Sequence, residues 1–278
     1  MTGATGGLGR HLTETFWAEG ASLVLGARNM ASLRALVDRL PSPQGGSQRV
    51  VPLECDLRQG EDLSRLVAKA DAEFASITAL VNNAAILGPV GPIWDNSSQE
   101  WEETIKVNLL APAMLCQLVL PTMKTAGYGK IVNLSGGGAT APRPYFSAYA
   151  AAKAGLVRLT ETIAHETRGM GIDVNCIAPG VLKTRMVDTI LALPEEKIGK
   201  EEHAKLRQQA ERSAETMESA AALALFLISG ESDGITGRLI SAVWDRWEKL
   251  PQNRDFLDRS DIYTLRRIVP RDRGQDWS

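Results

Sequence analysis

The chain has 278 residues, of which 44% are hydrophobic and 23% charged, and its formal net charge at pH 7 is -2. This length has room for one sizeable α/β domain. Because the charge is nearly balanced, no global field attracts nucleic acid or an anionic membrane, so we expect small molecules or further copies of the chain as partners, and neither nucleic acid nor membrane.

The cysteines and apolar runs predict a cytoplasmic protein. Cys55, Cys116 and Cys176 are widely spaced within apolar runs, which is typical of buried free thiols in a reducing compartment. The longest apolar stretches, LLAPAMLCQLVLP and AAALALFLI, are too short or too interrupted to span a bilayer, and no basic-then-apolar leader precedes residue 2. The histidines lack ligand spacing, so we expect no metal site.

Amphipathic helical stretches alternate with short apolar runs along most of the chain. The predicted helices lie near residues 8–20, 30–40, 62–74, 100–124 and from about Tyr149, and the predicted strands lie near residues 21–27, 49–55, 77–85, 130–136 and 172–179. This alternation predicts parallel strands joined by right-handed crossovers with helices on both faces, which is a doubly wound α/β sheet.

A glycine-rich turn, TGATGGLG, opens the chain at residue 2. Gly3, Gly7 and Gly9 allow the backbone to bend sharply and to approach a pyrophosphate at the N-terminus of the helix that begins near Leu8. By itself, this pattern does not separate a phosphate site from an ordinary turn.

Further motifs follow the glycine turn in order. They are Asp56 after the apolar run RVVPLEC, the turn Asn82-Asn83-Ala84-Ala85, Asn108 in IKVNLLAP, Ser135, the pair Tyr149 and Lys153 in Y-A-A-A-K, and Pro179-Gly180. This series resembles the classical short-chain dehydrogenase/reductase family over about residues 2–243. The resemblance implies a single Rossmann-like domain over residues 1–243 with a substrate lid at about 183–216, and NAD(P)-dependent hydride transfer between a ketone and a secondary alcohol.

In this fold the strand that feeds the glycine turn lies at the centre of the sheet, and here only Met1 precedes the turn. Without that strand, two ladders of buried backbone groups stay unpaired, at about 1 to 3 kcal/mol for each group. We therefore expect the first strand to be truncated, with about five to ten more apolar residues before Met1 in the natural chain.

The resemblance also implies roles for individual residues. In the catalytic set, Asn108 holds a water of a proton relay, Ser135 binds the substrate oxygen, Tyr149 is the general acid/base, and Lys153 supports it and holds the nicotinamide ribose. Asp56 is expected to accept a hydrogen bond from the adenine amine. The expected cofactor contacts are Gly3, Thr5, Gly7, Leu8, Gly9, Arg28, Asp56, Leu57, Asn83, Ala84, Tyr149, Lys153, Pro179, Gly180 and Thr184.

The tyrosine and lysine also make chemical sense without the family. Tyr149 and Lys153 are four residues apart in a helical stretch and therefore share one face. An ammonium about 4 Å away would bring the tyrosine pKa from about 10 toward 7, where the phenol can act as a general acid or base.

Ser135 departs from the family spacing. It lies 14 positions before Tyr149, and the family pattern places the serine one position nearer, where this chain has Gly136. Either the loop GGGATAPRPYFSA carries one extra residue, which its prolines and glycines favour, or the hydroxyl is displaced and its role weakened. Tyr145 lacks a lysine four positions later and is expected to line the substrate pocket.

The end of the second apolar run predicts the cofactor. An NAD site has a carboxylate there for the ribose 2′-hydroxyl, whereas this chain has Ala27-Arg28-Asn29. Since an arginine can clamp a phosphate through two parallel hydrogen bonds, NADP(H) is favoured over NAD(H). Arg10 either adds to this phosphate site or is a solvated first-turn arginine.

The segment 244–278 breaks the alternation. Its aromatic and arginine residues are interleaved with aspartates, which favours an ordered extension on its own domain or on a neighbouring subunit over a nucleic-acid site. Apolar surface on the helices near 100–124 and after Tyr149 predicts a homodimer or homotetramer. Two functions stay open, an NADP-dependent ketone/alcohol oxidoreductase and a non-catalytic NADP-binding sensor or scaffold.

Overall fold

The computed structural model describes residues 1–211 and 213–277. The helices are α1 (Gly7–Ala18), α2 (Met30–Val37), α3 (Gly60–Glu73), α4 (Ser98–Ile105), α5 (Ala111–Ala126), α6 (Ser147–Glu166), α7 (Arg185–Leu191), α8 (Glu195–Ile198), α9 (Lys200–Glu211), α10 (Ser213–Ile228) and α11 (Arg254–Asp258). The strands are β1 (Leu23–Ala27), β2 (Val50–Glu54), β3 (Ala79–Asn82), β4 (Gly129–Leu134), β5 (Ile172–Ala178) and β6 (Leu239–Ser241).

The strands form one parallel sheet in two halves. On one side β1 pairs with β2, and on the other the order is β3-β4-β5-β6. In register, Leu25 lies opposite Pro52, and Val81 lies opposite Val132. Helices cover both faces of the sheet, so the predicted doubly wound α/β fold is confirmed.

Residues Met1 to Gly3 join the two halves at the centre of the sheet. The Gly26 amide donates to the Met1 carbonyl at 2.9 Å, and the Gly3 amide donates to the Gly26 carbonyl at 2.9 Å. On the other side, the Thr2 amide donates to the Val81 carbonyl at 3.1 Å. Thr2 thus makes a parallel bridge to both β1 and β3, and it holds the start of the glycine turn between them.

Two hydrophobic cores lie on opposite faces of the sheet, because successive side chains of a strand point to opposite sides. Val132 packs into the core that α1, α2 and α10 cover, whereas Ile131 packs into the core that α3, α5 and α6 cover. All six residues of β4 are buried, as expected for a central strand of a parallel sheet. As predicted, the three cysteines are buried free thiols.

The predicted helix near 100–124 is a longer run with an irregularity in its middle. A π-helical turn, Lys106–Leu110, separates α4 from α5. The run Ser98–Ala126 is long and apolar enough to cross a membrane by length and composition alone, but 44% of its most apolar window is buried within the fold. Its apolar side packs against α3, β3 and β4, which is the packing of a core helix.

The C-terminal extension packs against the edge of its own sheet. The Leu239 amide of β6 donates to the Tyr263 carbonyl at 2.8 Å. The buried Arg238 guanidinium donates to the carbonyls of Ser260 at 2.9 Å, Ile262 at 2.7 Å and also Leu257. The extension therefore covers an edge strand that would otherwise present unpaired backbone groups.

Candidate active site

The glycine turn follows directly on Met1 and Thr2, which lie at the centre of the sheet between β1 and β3, and it folds back on itself. Gly3 has a φ of 68°, and a Cβ there would lie 2.8 Å from the Ala84 Cα. A Cβ on Gly9 would collide with the Gly3 carbonyl oxygen. The Asn83 side chain donates to the carbonyls of Thr2 at 3.2 Å and Gly3 at 3.1 Å, so it fixes the turn from the neighbouring strand.

The N-terminus of α1 is open for an anion. Its N-cap, Gly6, supplies no side-chain cap, so the first amides of the helix have no side-chain partner there. Leu8 is buried in the core and offers only its backbone, while Thr5 is half-buried at the turn. The turn requires glycine, and the helix N-terminus that follows it is uncapped. Together these two features fit a dinucleotide pyrophosphate.

Two charged residues near this turn, Arg28 and Asp56, were predicted to contact the cofactor, and within the described part of the chain only Asp56 is paired with another side chain. Arg28 is exposed, as a phosphate clamp requires, and Asn29 is used as the N-cap of α2, with its Oδ1 accepting from the Ser32 amide at 2.8 Å. The Asp56 carboxylate binds Arg58 at 2.6 Å, and this hydrogen bond holds the pKa of Asp56 below its usual value. Leu57 lies in the core beneath.

Arg58 was missed in the sequence, although it stands two positions after Asp56. Its other terminal nitrogen binds Glu103 of α4 at 2.6 Å, so it links the Asp56 turn to that helix. In the sequence, the available signal was the opposite charge two positions away, because a guanidinium this close binds the carboxylate. The expected hydrogen bond from adenine to Asp56 stays a prediction.

Tyr149 and Lys153 lie on one face of α6, as their spacing predicts, and both are buried. The Lys153 ammonium lies 5.6 Å from the centre of the Tyr149 ring and donates to the Leu134 carbonyl at 2.6 Å. Burial lowers the pKa of Lys153 to about 8. It also raises the pKa of Tyr149, and the charge that opposes this rise is Arg143. The expected lowering of the tyrosine pKa by Lys153 is therefore wrong for this structure.

Asn108 lies fully buried in the π-helical turn. Its side chain brackets one residue, since Oδ1 accepts from the Ile86 amide at 2.9 Å and Nδ2 donates to the Ile86 carbonyl at 2.8 Å. Asn108 thus ties the helix run to the segment after β3. The π turn also breaks the regular helical hydrogen bonding there, which is common at functional sites.

The structure does not bring Ser135 to Tyr149. A Cβ on Gly136 would collide with the Tyr149 hydroxyl, so Gly136 is the residue that faces the tyrosine. The Ser135 hydroxyl is buried without a hydrogen bond of normal geometry, and it lies close enough to the Cys176 thiol to affect its pKa. This placement agrees with the second alternative for the loop, in which the serine hydroxyl is displaced.

Helices α7 to α9 close over the site from one side. The side chains of Ile190, Ile198 and Leu206 pack with Tyr149 and Phe146 in one apolar cluster. A Cβ on Gly7 would lie 2.9 Å from the Thr184 Cγ2, so the start of α7 rests on the glycine turn.

The segment after β5 is the base of this lid. Pro179 is buried, and Gly180 has a φ of 84° with its Cα packed closely between Thr216 and Val243. The contacts above bring together four groups of predicted residues, namely the glycine turn, the turn at 83–84, α6 and the segment 179–184. They meet at the carboxyl ends of the parallel strands.

Comparison with known proteins agrees with this arrangement. The family model described as short chain dehydrogenase matches residues 1–193. The chain is 32% identical over 240 residues to dehydrogenase/reductase SDR family member 4 of Homo sapiens, which covers 86% of this chain and 84% of that protein. It is also 32% identical to the 3-oxoacyl-acyl-carrier-protein reductase FabG of Thermotoga maritima, covering 86% and 93%. The crystal structure of levodione reductase matches with a TM-score of 0.74 at 27% identity, covering 86% and 93%.

The fold and the site define an oxidoreductase that acts on CH–OH or C=O groups. The chain belongs to the short-chain dehydrogenase family, whose members bind NAD(P)(H).

Proposed function

We propose that this protein interconverts a ketone and a secondary alcohol with NADP(H), and that Tyr149 is its general acid/base. One observation carries the proposal: Tyr149 lies on α6 beside the buried Lys153. Both residues are at the carboxyl ends of the strands, where the glycine turn also lies. When bound, the nicotinamide supplies or accepts the hydride. In reduction, the Tyr149 hydroxyl gives its proton to the carbonyl oxygen.

The surroundings of Tyr149 suit proton donation. Burial raises its pKa, so the phenol is protonated at neutral pH and ready to act as an acid. The apolar lid side chains around it exclude water from the proton transfer. In our proposal, Lys153, whose ammonium donates to the Leu134 carbonyl at 2.6 Å, holds a ribose hydroxyl next to the same tyrosine.

The preference for NADP(H) rests on Arg28. It is exposed at the end of β1, and no carboxylate stands in the Ala27-Arg28-Asn29 turn. The nearby Asp56 has its charge offset by Arg58. In our proposal, Arg28 binds the 2′-phosphate, so Arg28→Asp should reverse or erase a preference for NADPH in titrations of cofactor binding. Equal binding of NADPH and NADH by the wild type would contradict this part of the proposal.

The test of the reaction is Tyr149→Phe, because this change removes the proton donor and leaves the ring in place. We expect hydride transfer to a panel of ketones, followed by loss of NADPH absorbance, to disappear in the variant. Binding of NADPH, followed by its fluorescence, should be nearly unchanged. Near-normal turnover in the variant would remove Tyr149 from the acid/base role.

One observation favours a second candidate, a non-catalytic NADP-binding sensor or scaffold. Gly136, and not a serine, faces the Tyr149 hydroxyl, so one hydroxyl expected at the substrate oxygen is displaced. A wild-type protein that binds NADPH but reduces no ketone would favour this candidate. We further propose a cytoplasmic location and a homodimer or homotetramer, with no nucleic acid or membrane as partner.

A further inference from the structure

Arg143 is a largely buried cation beside the proposed reaction centre, and the mechanism above does not use it. It lies in the loop between β4 and α6, with its side chain 16% exposed. Its guanidinium stacks on the Phe146 ring at 4.0 Å from the centroid. Phe146 belongs to the same apolar cluster as Tyr149. A stacked guanidinium is held in a fixed orientation, which a binding group requires.

Two successive glycines place Arg143 next to the tyrosine. A Cβ on Gly136 would meet the Tyr149 hydroxyl, and a Cβ on Gly137 would lie 3.5 Å from the Arg143 Nη1. The positive charge of Arg143 also opposes the rise of the Tyr149 pKa, so the two groups interact electrostatically. Adjacent residues of one loop therefore lie against the proton donor and against the guanidinium.

The guanidinium is paired with a carboxylate from the lid. Arg143 Nε donates to Glu202 Oε1 of α9 at 2.9 Å. Glu202 also lines an open cavity of about 490 Å³ whose wall includes Lys200 and Lys205. A Glu202 side chain that leaves Arg143 therefore enters a cavity whose wall carries these two cations and one further carboxylate, Glu201. The cavity thus gives Glu202 a charged and solvent-accessible place to move to when Arg143 takes another carboxylate.

We propose that Arg143 binds a carboxylate of the substrate in exchange for Glu202, so that the physiological substrates are oxo acids and the corresponding hydroxy acids. The inference rests on the proposed reaction, because it names the substrate class of that same site. A guanidinium offers two parallel donors to a carboxylate, and the side chains of the lid that surround Tyr149 are apolar, as a carbon chain between the acid and the carbonyl group requires. In reduction, hydride from NADPH adds to the carbonyl carbon, and the Tyr149 proton goes to the oxygen.

The test compares acids with their own methyl esters. We would measure kcat/KM for 3-oxobutanoate, 4-oxopentanoate and 5-oxohexanoate and for the three esters, with NADPH and the wild-type protein. For at least one chain length we expect the acid to be preferred by about tenfold or more, since the guanidinium forms charge-assisted hydrogen bonds with a carboxylate that an uncharged ester does not form. Arg143→Met should erase this preference mainly through KM, and Arg143→Lys should restore part of it.

Glu202→Gln separates substrate binding from a structural role of the ion pair. If Glu202 competes with the substrate for Arg143, the variant should lower KM for the acid and leave KM for the ester unchanged. If the pair serves only to hold the lid closed, KM for acid and ester should rise together. Saturation-transfer NMR with pentanoate gives a readout without turnover, and binding should be weakened in Arg143→Met.

The outcomes also separate this inference from the proposed reaction. Turnover of acids and esters with equal kcat/KM would overturn the role of Arg143 and leave the ketone reductase in place. Failure to reduce any compound, by a protein that binds NADPH, would overturn the proposed reaction itself. Thermal midpoints of the Arg143 and Glu202 variants, matched to the wild type, show that each has folded.

Discussion

Gly136 decides the geometry around the catalytic candidate at the scale of single residues. The Tyr149 hydroxyl lies where a Cβ of residue 136 would stand, and the backbone of the next residue, Gly137, faces Arg143. The serine spacing in the sequence already contained this departure, but spacing alone left two alternatives for the loop. The contact with Tyr149 distinguishes them, because it depends on how the loop reaches α6.

Gly136→Ala should lower kcat for ketone reduction by about 10- to 100-fold, because its Cβ would displace the Tyr149 hydroxyl from its position. Steady-state kinetics with NADPH would measure the loss. Gly137→Ala is the matched control, since its Cβ would make an ordinary contact of 3.5 Å with Arg143 Nη1. Unchanged kcat in Gly136→Ala would mean that Tyr149 works from another position.

Lys153 should give the protein a pH-dependent stability above pH 8. Burial lowers its pKa from the ordinary 10.5 to about 8, so between these values the unfolded chain binds more protons at this site than the folded chain. The contribution to the free energy of unfolding should therefore rise with pH across this window, by about 3 kcal/mol in total. Below about pH 8, both states are protonated and the contribution is constant.

Lys153→Met removes this titration. Urea unfolding at pH 7, 8, 9 and 10 should show the wild type gaining stability relative to the variant as the pH rises. The exposed Lys124→Met is the control. A difference between wild type and Lys153→Met that stays constant over this range would show that Lys153 is not desolvated in the folded protein.

At the scale of elements, the C-terminal extension, which lies outside the alternating helix and strand pattern, packs against the edge strand β6. Arg238, at the start of β6, reaches three carbonyls of the extension, and the Leu265 amide donates to the Glu161 carboxylate of α6 at 2.6 Å. The composition of the segment after 243 favoured an ordered extension on its own domain or on a neighbouring subunit, but it did not indicate which surface the segment covers. That surface depends on long-range contacts between α6, β6 and the extension.

Arg238→Met should release the extension, because it removes the donor that three carbonyls of the extension share. We expect the free energy of unfolding to fall by about 3 kcal/mol or more. Limited proteolysis should cut the variant within residues 244–278 before it cuts the wild type. Arg266→Met is the control, since the Arg266 side chain is 44% exposed and ion pairs at the surface contribute little to stability. Equal protease resistance of Arg238→Met and wild type would refute the anchoring role.

At the scale of the whole molecule, two surfaces matter for function. One is the lid over the glycine turn, and the other is the exposed helix face that carries Leu110 and Met114. Thr184 rests on Gly7, so the start of the lid packs directly on the glycine turn. On the helix run that includes α5, Leu110 and Met114 are 50% and 41% exposed and share one helical face. Two large apolar side chains on one face are typical of a subunit contact.

We expect a homodimer or homotetramer at micromolar concentration, and Leu110→Glu combined with Met114→Glu should shift it to a smaller species. Light scattering coupled to size-exclusion chromatography would measure the change. Ile93→Glu is the control, because Ile93 is 61% exposed but lies on a separate turn. A wild-type monomer would contradict the expectation.

The sequence by itself determined the alternating α/β fold, the glycine turn and the shared helix face of Tyr149 and Lys153. These features depend on local periodicity, on glycine conformations and on four-residue spacing, which are all properties of short segments. Only the tertiary structure decided that Gly136 faces Tyr149, that Arg58 takes the Asp56 carboxylate, that burial raises the tyrosine pKa, and that Arg143 pairs with Glu202. Each of these depends on which groups distant segments bring together and on how much water they exclude, and no local pattern in the sequence records either.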